Sequence, residues 1–347
     1  MKIIVLAGGY SPEREVSLTS GSLIANALME NGHHVFLLDV YVGMPSLPDD
    51  PDTLFRTEGS YHHKVGEVIP SLEELKESTQ NGDALIGKNV IELCRRADIV
   101  FLALHGAMGE NGQLQATLDS FGIPYTGSGY IGSLLAMDKD ISKKLLRDAG
   151  VRTPDWIAVD PKCTTATEIL SKIGLPLVVK PCSCGSSVGV SMVETAQDLE
   201  AALAEAAAWD DCALVERRIV GRELTVGILD GTALPAVEII PKEGFYDYKN
   251  KYQGCTEEIC PAPIPASVAE EAALLTRLGF DALRLYGYAR FDYLLDQNNV
   301  LWCLEANTLP GMTPTSLLPQ AAAAAGIDYN TLCERLIEVS LKKKTRI

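Results

Sequence analysis

Residues Tyr288 to Gly311 read YARFDYLLDQNNVLWCLEANTLPG. Two apolar runs flank the polar cluster Asp296-Gln297-Asn298-Asn299, and this pattern predicts a β-hairpin. Side chains on a strand alternate faces, so Arg290 and Asp292 share a face, as do Glu305 and Asn307 on the second strand. A two-residue turn at Asn298-Asn299, where Asn tolerates positive φ, sets Asp292 opposite Glu305. One face would then carry a guanidinium, two carboxylates and an amide within about 5 Å of one another. Hard divalent cations take such oxygen ligands, and Mg²⁺ uses one or two carboxylates together with substrate phosphates. Arg290 could bind a phosphate in the same plane. The plainer alternative is a surface hairpin with its charged face in water. The Asn307-Thr308-Leu309-Pro310-Gly311 turn favours a site, because it places backbone N–H donors directly after the polar pair.

The hairpin sits late in a chain of 347 residues, long enough for two or three domains with cores of their own. No apolar run approaches the length of a membrane span, and Met1–Leu6 is too short for a signal-peptide core, so a membrane location is not expected. A net charge of −16 argues against a nucleic-acid partner and requires local cationic sites for any anionic ligand. Nine scattered cysteines, an odd number, suit free thiols in a reducing cytoplasm. Cys182-Ser183-Cys184 lacks a zinc spacing.

From the start, residues 2–7 read as a buried strand running into Gly8-Gly9. Ser11-Pro12 suits an N-cap and first helical position, with the helix reaching Asn31-Gly32 and a strand at His34–Val40. This βαβ opening lacks GxGxxG, so no dinucleotide site is inferred. Glu13 at the helix entrance is either a dipole-favoured surface residue or a ligand for a substrate amine. Residues 43–88 form an irregular excursion with a helix near Ser71–Glu77, and His62-His63 is read as surface. A helix over 89–96 leads to the strand Asp98–Leu104, whose carboxyl end carries His105-Gly106-Ala107-Met108-Gly109-Glu110. Ligands bind at that edge of open parallel sheets, which makes His105 a candidate ligand or electrostatic residue.

One helix is expected from Gly129 to Ala149, with Lys139 exposed on it. The strand Leu175–Pro181 ends in Lys180 and meets Cys182-Ser183-Cys184-Gly185-Ser186-Ser187-Val188-Gly189, a small-residue loop suited to covering a phosphate. It is not a Walker A loop, because its lysine precedes the glycines; a plain hairpin tip is the alternative. The strand Ala213–Arg217 carries Glu216, and Glu223 begins the strand Leu224–Ile228; such strand ends could hold an adenine edge and ribose hydroxyls. A strand at Ala233–Ile240 enters the polar loop Gly244–Tyr252, read as a lid. Helices follow at 266–286 and at Asn330–Leu341.

Taken jointly, these motifs resemble the D-alanyl-D-alanine ligase family of the ATP-grasp superfamily. The resemblance rests on Gly8-Gly9-Tyr10-Ser11-Pro12-Glu13, His105-Gly106, Tyr125-Thr126-Gly127-Ser128-Gly129, Met137-Asp138-Lys139, Val179-Lys180-Pro181, Gly185-Ser186-Ser187-Val188-Gly189, Lys251-Tyr252 and Glu305–Thr313. It covers nearly the whole chain except 43–88 and departs from the family pattern at Cys182-Ser183-Cys184. It implies an α/β protein: a Rossmann-like parallel-sheet domain at 1–127, then a two-part ATP-grasp region at 128–214 and 215–347. It implies that Lys139, Lys180, Ser187, Glu216, Arg217, Ile219, Glu223 and Lys251 bind ATP. Asp292, Glu305 and Asn307 would hold two Mg²⁺ or Mn²⁺ ions. Glu13 would hold the ammonium of a first D-alanine within a Glu13–Ser186–Tyr252 network, and His105, Ser316 and Leu317 would complete the amino-acid sites. Arg290 and the Gly311 N–H would stabilise an oxyanion. A cytoplasmic homodimer is implied as well. D-serine or D-lactate as second substrate, and a nucleotide-binding regulator without catalysis, are the alternatives; the intact Lys180, Arg290, Asp292, Glu305 and Asn307 argue against the last.

Overall fold

The computed structural model describes residues 1–63, 71–79, 81–185, 187–241 and 256–343. The first unit is a parallel sheet in the order β2-β1-β3, from β1 (Lys2–Ala7), β2 (His34–Asp39) and β3 (Ile99–Leu102). Ile3 to Ala7 are fully buried, because helices cover both faces of such a sheet. Helix α1 (Arg14–Glu30) supplies Ile24 and Leu28 to that core. It starts later than Ser11-Pro12 predicts: Glu13 is the N-cap, and Ser11 forms a preceding turn whose Oγ accepts the Glu13 N–H at 3.1 Å. Glu13 makes no side-chain cap bond, and it lines the cleft described below. The excursion contains α2 (Leu72–Thr79), and α3 (Val90–Cys94) leads back to the sheet. After β3 come α4 (Ala107–Glu110) and α5 (Gln113–Ser120).

The single helix expected over Gly129–Ala149 is two helices, α6 (Tyr130–Met137) and α7 (Lys139–Asp148). Asp138 breaks it: its backbone is extended, and its side chain caps α7 by accepting the Ile141 N–H at 2.9 Å. An Asp that bonds forward to the backbone opens a new helix more favourably than it continues an old one. The consequence is functional, because Lys139 becomes the first residue of α7 and is buried, not exposed.

A second sheet is antiparallel in the order β4-β7-β5-β6: β4 (Trp156–Val159), β5 (Leu177–Pro181), β6 (Ser191–Val193) and β7 (Ala213–Arg217). Helices α8 (Ala166–Lys172) and α9 (Ala196–Ala207) cover one face through Ile169, Leu199 and Leu203, which pack with Leu177, Val179 and Val215. Period-2 alternation sends Val178, Lys180 and Glu216 to the other face.

The third sheet runs β11-β10-β8-β12-β13, with β9 paired to β8. Its strands are β8 (Gly221–Leu229), β9 (Thr232–Ala233), β10 (Val237–Pro241), β11 (Thr256–Ile259), β12 (Tyr288–Asp296) and β13 (Leu301–Asn307). The strand expected at Ala233–Ile240 is therefore two strands. Helix α10 (Ala266–Ala282) lies on one face, where Leu275 and Phe280 pack with Phe291, Tyr293 and Leu295. Each such buried side chain stabilises the sheet by about 1.5–3 kcal/mol. Helices α11 (Leu317–Ala324) and α12 (Tyr329–Leu341) close the described chain. Leu332 and Leu336 of α12 join the core of the first sheet, and Ser340 Oγ accepts the Gly127 N–H at 3.0 Å.

The hairpin forms, with Asp292 paired to Glu305, but by another route than a two-residue turn. Leu295 pairs with Leu301, so the loop is three residues, Gln297 to Asn299, with Asn299 at φ 59°. That loop type ends in a left-handed residue, and Asn supplies it. It shifts the register by one, and a β-bulge at Leu304 restores it: Tyr293 faces Cys303, and Asp292 faces Glu305. Without the bulge, Glu305 and Asn307 would lie on the face of buried Leu301 and Cys303.

Candidate active site

Two clefts meet at this hairpin. The first, of about 310 Å³, lies between the second and third sheets. Lys139, Lys180, Glu216, Arg217, Ile219 and Glu223 line it, together with Ser187, Asp292 and Glu305. Its apolar walls are Val178, Met192, Leu294 and Leu304. A cleft with apolar walls and two lysines in its lining can take a ligand with an apolar body and an anionic end. The second cleft, of about 450 Å³, is lined by Glu13, His105, Glu110, Gly185, Arg290, Asn307, Gly311, Ser316 and Leu317. Of the sequence-derived site residues, Ser186, Lys251 and Tyr252 lie outside the described residues, as does the rest of the Gly244–Tyr252 loop. Every other one lines one of the two clefts.

The lysines of the first cleft are held by specific acceptors. Lys139 Nζ donates to the Cys184 carbonyl at 2.6 Å and stands 3.3 Å from Glu305 Oε2. Its backbone N–H donates to the Cys182 carbonyl at 3.0 Å. The unusual Cys182-Ser183-Cys184 stretch thus serves the site through its backbone. Cys182 Sγ lies 2.7 Å from Cys212 Sγ, and burial raises the pKa of both thiols. Lys180 Nζ sits 2.7 Å from Glu216 Oε1. Burial opposes the charge of Lys180, but Glu216 and Glu305 outweigh it and its pKa is raised. Burial likewise opposes ionisation of Glu216, yet Lys180 and Lys143 hold its carboxyl down at about 2. The loop after Lys180 straddles both clefts: Cys184 and Ser187 face the first, and Gly185 faces the second.

At the junction, Arg290 grips Asp292 with two parallel bonds, Nε to Oδ1 and Nη2 to Oδ2, each 2.9 Å. Asn307 Nδ2 donates to Asp292 Oδ2 at 2.9 Å, and Thr225 Oγ1 donates to Oδ1 at 2.6 Å. These contacts reach both carboxylate oxygens and fix its plane. Among the described residues no group of three or more His, Cys, Asp or Glu gathers as a metal site. The hairpin offers two carboxylates and an amide, which are hard oxygen donors; they suit Mg²⁺ or Mn²⁺ when substrate phosphates complete the shell.

In the second cleft, His105 Nδ1 lies 3.2 Å from the Leu309 carbonyl. A carbonyl only accepts, so Nδ1 carries the proton and Nε2 presents a lone pair. Nε2 is buried and has no hydrogen-bond partner among the described residues. Burial lowers the pKa of His105, partly offset by Glu13, which keeps the ring neutral. A neutral acceptor aimed into a cleft suits a substrate N–H. Gly106, at φ 72°, lets the loop pass close to Glu13: a Cβ there would meet Glu13 Oε2 at 3.1 Å and Ser11 Oγ at 3.0 Å. Gly311 packs closely as well, since its Cβ would lie 2.8 Å from Ser316 Oγ.

Sequence reasoning missed two charged groups here. Glu110 accepts the Gly106 N–H at 2.6 Å and also the Leu309 N–H, tying together the two loops that line the second cleft. Burial, then Glu13, pushes its carboxyl up to about 7. Its only sequence signal was its place in the Gly-rich loop. Lys143 was the other, and its spacing of four from Lys139 on a helix was the available signal.

The chain is similar throughout to proteins of one kind. A family model of the D-ala D-ala ligase N-terminus matches residues 2–128, and one of the D-ala D-ala ligase C-terminus matches residues 145–338. The D-alanine–D-alanine ligase of Pediococcus pentosaceus is 41% identical over 343 residues, 97% of this chain and 97% of that protein. The D-alanine–D-alanine ligase of Nitratidesulfovibrio vulgaris is 41% identical over 345 residues, 98% of each. Among solved structures, the D-alanine–D-alanine ligase from Bacillus anthracis complexed with ATP matches at a TM-score of 0.76 and 33% identity, covering 99% of this chain and 98% of that one.

Proposed function

The chain belongs to the D-alanine–D-alanine ligase family, and from that premise we propose that it joins two D-alanines into D-alanyl-D-alanine for peptidoglycan synthesis while cleaving ATP to ADP and phosphate. The observation that carries this reading is that a cleft lined by Lys139 and Lys180 and a cleft lined by Glu13, His105 and Ser316 meet at one polar hairpin face. The proposed units are 1–127, 128–214 and 215–347, with α12 returning to the first.

ATP would lie in the first cleft, its base near Glu216 and the Arg217–Ile219 backbone and its ribose at Glu223. Lys139 and Lys180 would face its phosphates, with Ser187 and the loop around it closing over them. Asp292, Glu305 and Asn307 would hold Mg²⁺ or Mn²⁺, which spreads the charge of the transferring phosphoryl group when bound. The first D-alanine would place its ammonium at Glu13 and its carboxylate at the junction. A carboxylate oxygen attacks the γ-phosphorus, ADP leaves, and D-alanyl phosphate forms. The second D-alanine, its carboxylate at Ser316 and Leu317, loses an ammonium proton and attacks the acyl carbon. Arg290 and the Gly311 N–H would stabilise the oxyanion, and its collapse expels phosphate and leaves the amide. His105 Nε2 offers an acceptor beside the amine. Closing the cleft keeps water from the acyl phosphate.

The deciding experiment measures ADP release with D-alanine, L-alanine, D-serine and D-lactate. D-Alanine alone should support full turnover, with D-alanyl-D-alanine as product. Equal ADP release with L-alanine would sink the substrate assignment. A homodimer is part of the same proposal, supported by the exposed apolar residues Phe121, Tyr130, Ile131 and Leu134 around α5 and α6. Sedimentation equilibrium should return twice the chain mass; a monomer at all concentrations would refute it.

A further inference from the structure

Lys143 is fully buried and takes no part in the chemistry above; burial lowers its pKa, and the Glu216 carboxylate at its Nζ opposes that shift. It lies one turn beyond Lys139 on α7 and does not line the nucleotide cleft. Its Nζ donates to Glu216 Oε2 at 2.7 Å and stands 5.1 Å from the centre of the Trp156 ring. The register explains the meeting: Glu216 pairs with Val178 on one side and with Trp156 on the other, and Lys180 is its diagonal neighbour on the same face. The two oxygens of Glu216 are therefore divided between two ammonium groups, Lys180 in front and Lys143 behind.

The division matters when the cleft fills. A lysine drawn toward a phosphate shares its charge with that anion and loosens its hold on the acceptor it had before. Were Lys180 the sole partner of Glu216, its departure would strand a buried carboxylate, which would take up a proton. Lys180 would then stay with Glu216, or the phosphate contact would be made only with proton uptake. Lys143, at the other oxygen, Oε2, offers a second counter-ion that would remove that conflict. We propose that Lys143 is a positioning residue that keeps Glu216 charged and in place while Lys180 moves from Glu216 to a nucleotide phosphate. This rests on reading the first cleft as a nucleotide site.

The charged and titratable groups around this set are few. Lys143 comes from α7 and Lys180 from β5; Glu305 and Cys182 act on Lys180, Cys303 acts on Lys143, and β4 contributes only the Trp156 ring. With both lysines present the Glu216 carboxyl lies far below the assay range, so it releases and takes up no proton near neutrality.

The test is calorimetric binding of AMP-PNP with Mg²⁺ from pH 6 to 8.5, in buffers of different ionisation enthalpy, to wild type, K143Q, K143M and the double variant K143Q/E216Q. K143Q keeps an N–H donor for Oε2 and removes only the charge; K143M removes both. In both variants, binding should take up close to one more proton than in wild type. The ratio of their Kd to the wild-type Kd should grow with pH, approaching about tenfold per pH unit. The double variant should lose that dependence, because the neutral amide that replaces the carboxylate needs no counter-ion. A ratio that is constant across the pH range, with no added proton uptake, would overturn the proposal and leave Lys143 a packing residue. Absence of AMP-PNP binding by the wild-type chain would instead remove the nucleotide reading, and this inference with it.

Discussion

Asp292→Asn, and separately Glu305→Gln, should lower the rate of ADP release with D-alanine on the order of 10³-fold or more while the protein stays folded. Each change removes one negative charge from the hairpin face and keeps the side chain's shape. The fold should tolerate it, because the packing of β12 resides in Phe291, Tyr293 and Leu295 on the opposite face. After Asp292→Asn the remaining amide oxygen could still accept from Thr225 or Arg290, so the strand pairing with β8 remains. What is lost is the charge that would hold a cation against the phosphates. A metal with one carboxylate fewer binds less tightly, so raising Mg²⁺ or Mn²⁺ should recover part of the rate. The measurements are initial rates against metal concentration and a thermal melt. If both variants kept more than about a tenth of wild-type turnover at limiting metal, the metal assignment would be wrong.

Arg290→Lys is the second change with a large expected effect, and the more discriminating one. Arginine keeps its charge under all assay conditions, and its planar fork matches the Asp292 carboxylate with two parallel bonds. A lysine retains the charge but not the two-point grip, and so cannot both hold Asp292 in plane and aim a donor at the junction. If Arg290 stabilises the oxyanion, kcat should fall about 10²–10³-fold with the KM for ATP nearly unchanged. Were charge alone required, the lysine would suffice, and a loss of less than about tenfold would refute the geometric argument. The product provides a second readout: a slowed second step leaves D-alanyl phosphate to water, so ADP release should exceed D-alanyl-D-alanine formed.

Much of the site was legible because the signals were local. Small residues after Lys180, a polar turn between two alternating runs, and Gly-rich turns after strands each report a backbone need at that position. The groups that were missed lack a local signature. Glu110 looks like any loop carboxylate until the Leu309 turn, about two hundred residues later, is packed against it. Lys143 looks like one face of a charged helix until β5 and β7 bring Glu216 beneath it. Asp138 sits inside an apparently continuous helical stretch, and its preference for capping is expressed because the break lets Lys139 reach the Cys182 and Cys184 carbonyls.

The chain's own alternation determined that Tyr288–Asn307 would be a hairpin with Arg290 and Asp292 on one face, since period 2 is a property of a strand by itself. It could not determine by which turn and path Glu305 comes to stand across from Asp292. A two-residue turn and a three-residue turn with a bulge are both compatible with Asp296-Gln297-Asn298-Asn299, and they give the same pairing by different paths. The tertiary structure chose the second. Leu301 and Cys303 are drawn into the core that Leu146 and Phe291 help to form, while Glu305 and Asn307 must face the cleft. One strand cannot satisfy both with strict alternation, and the extra residue at Leu304 reverses the face between them.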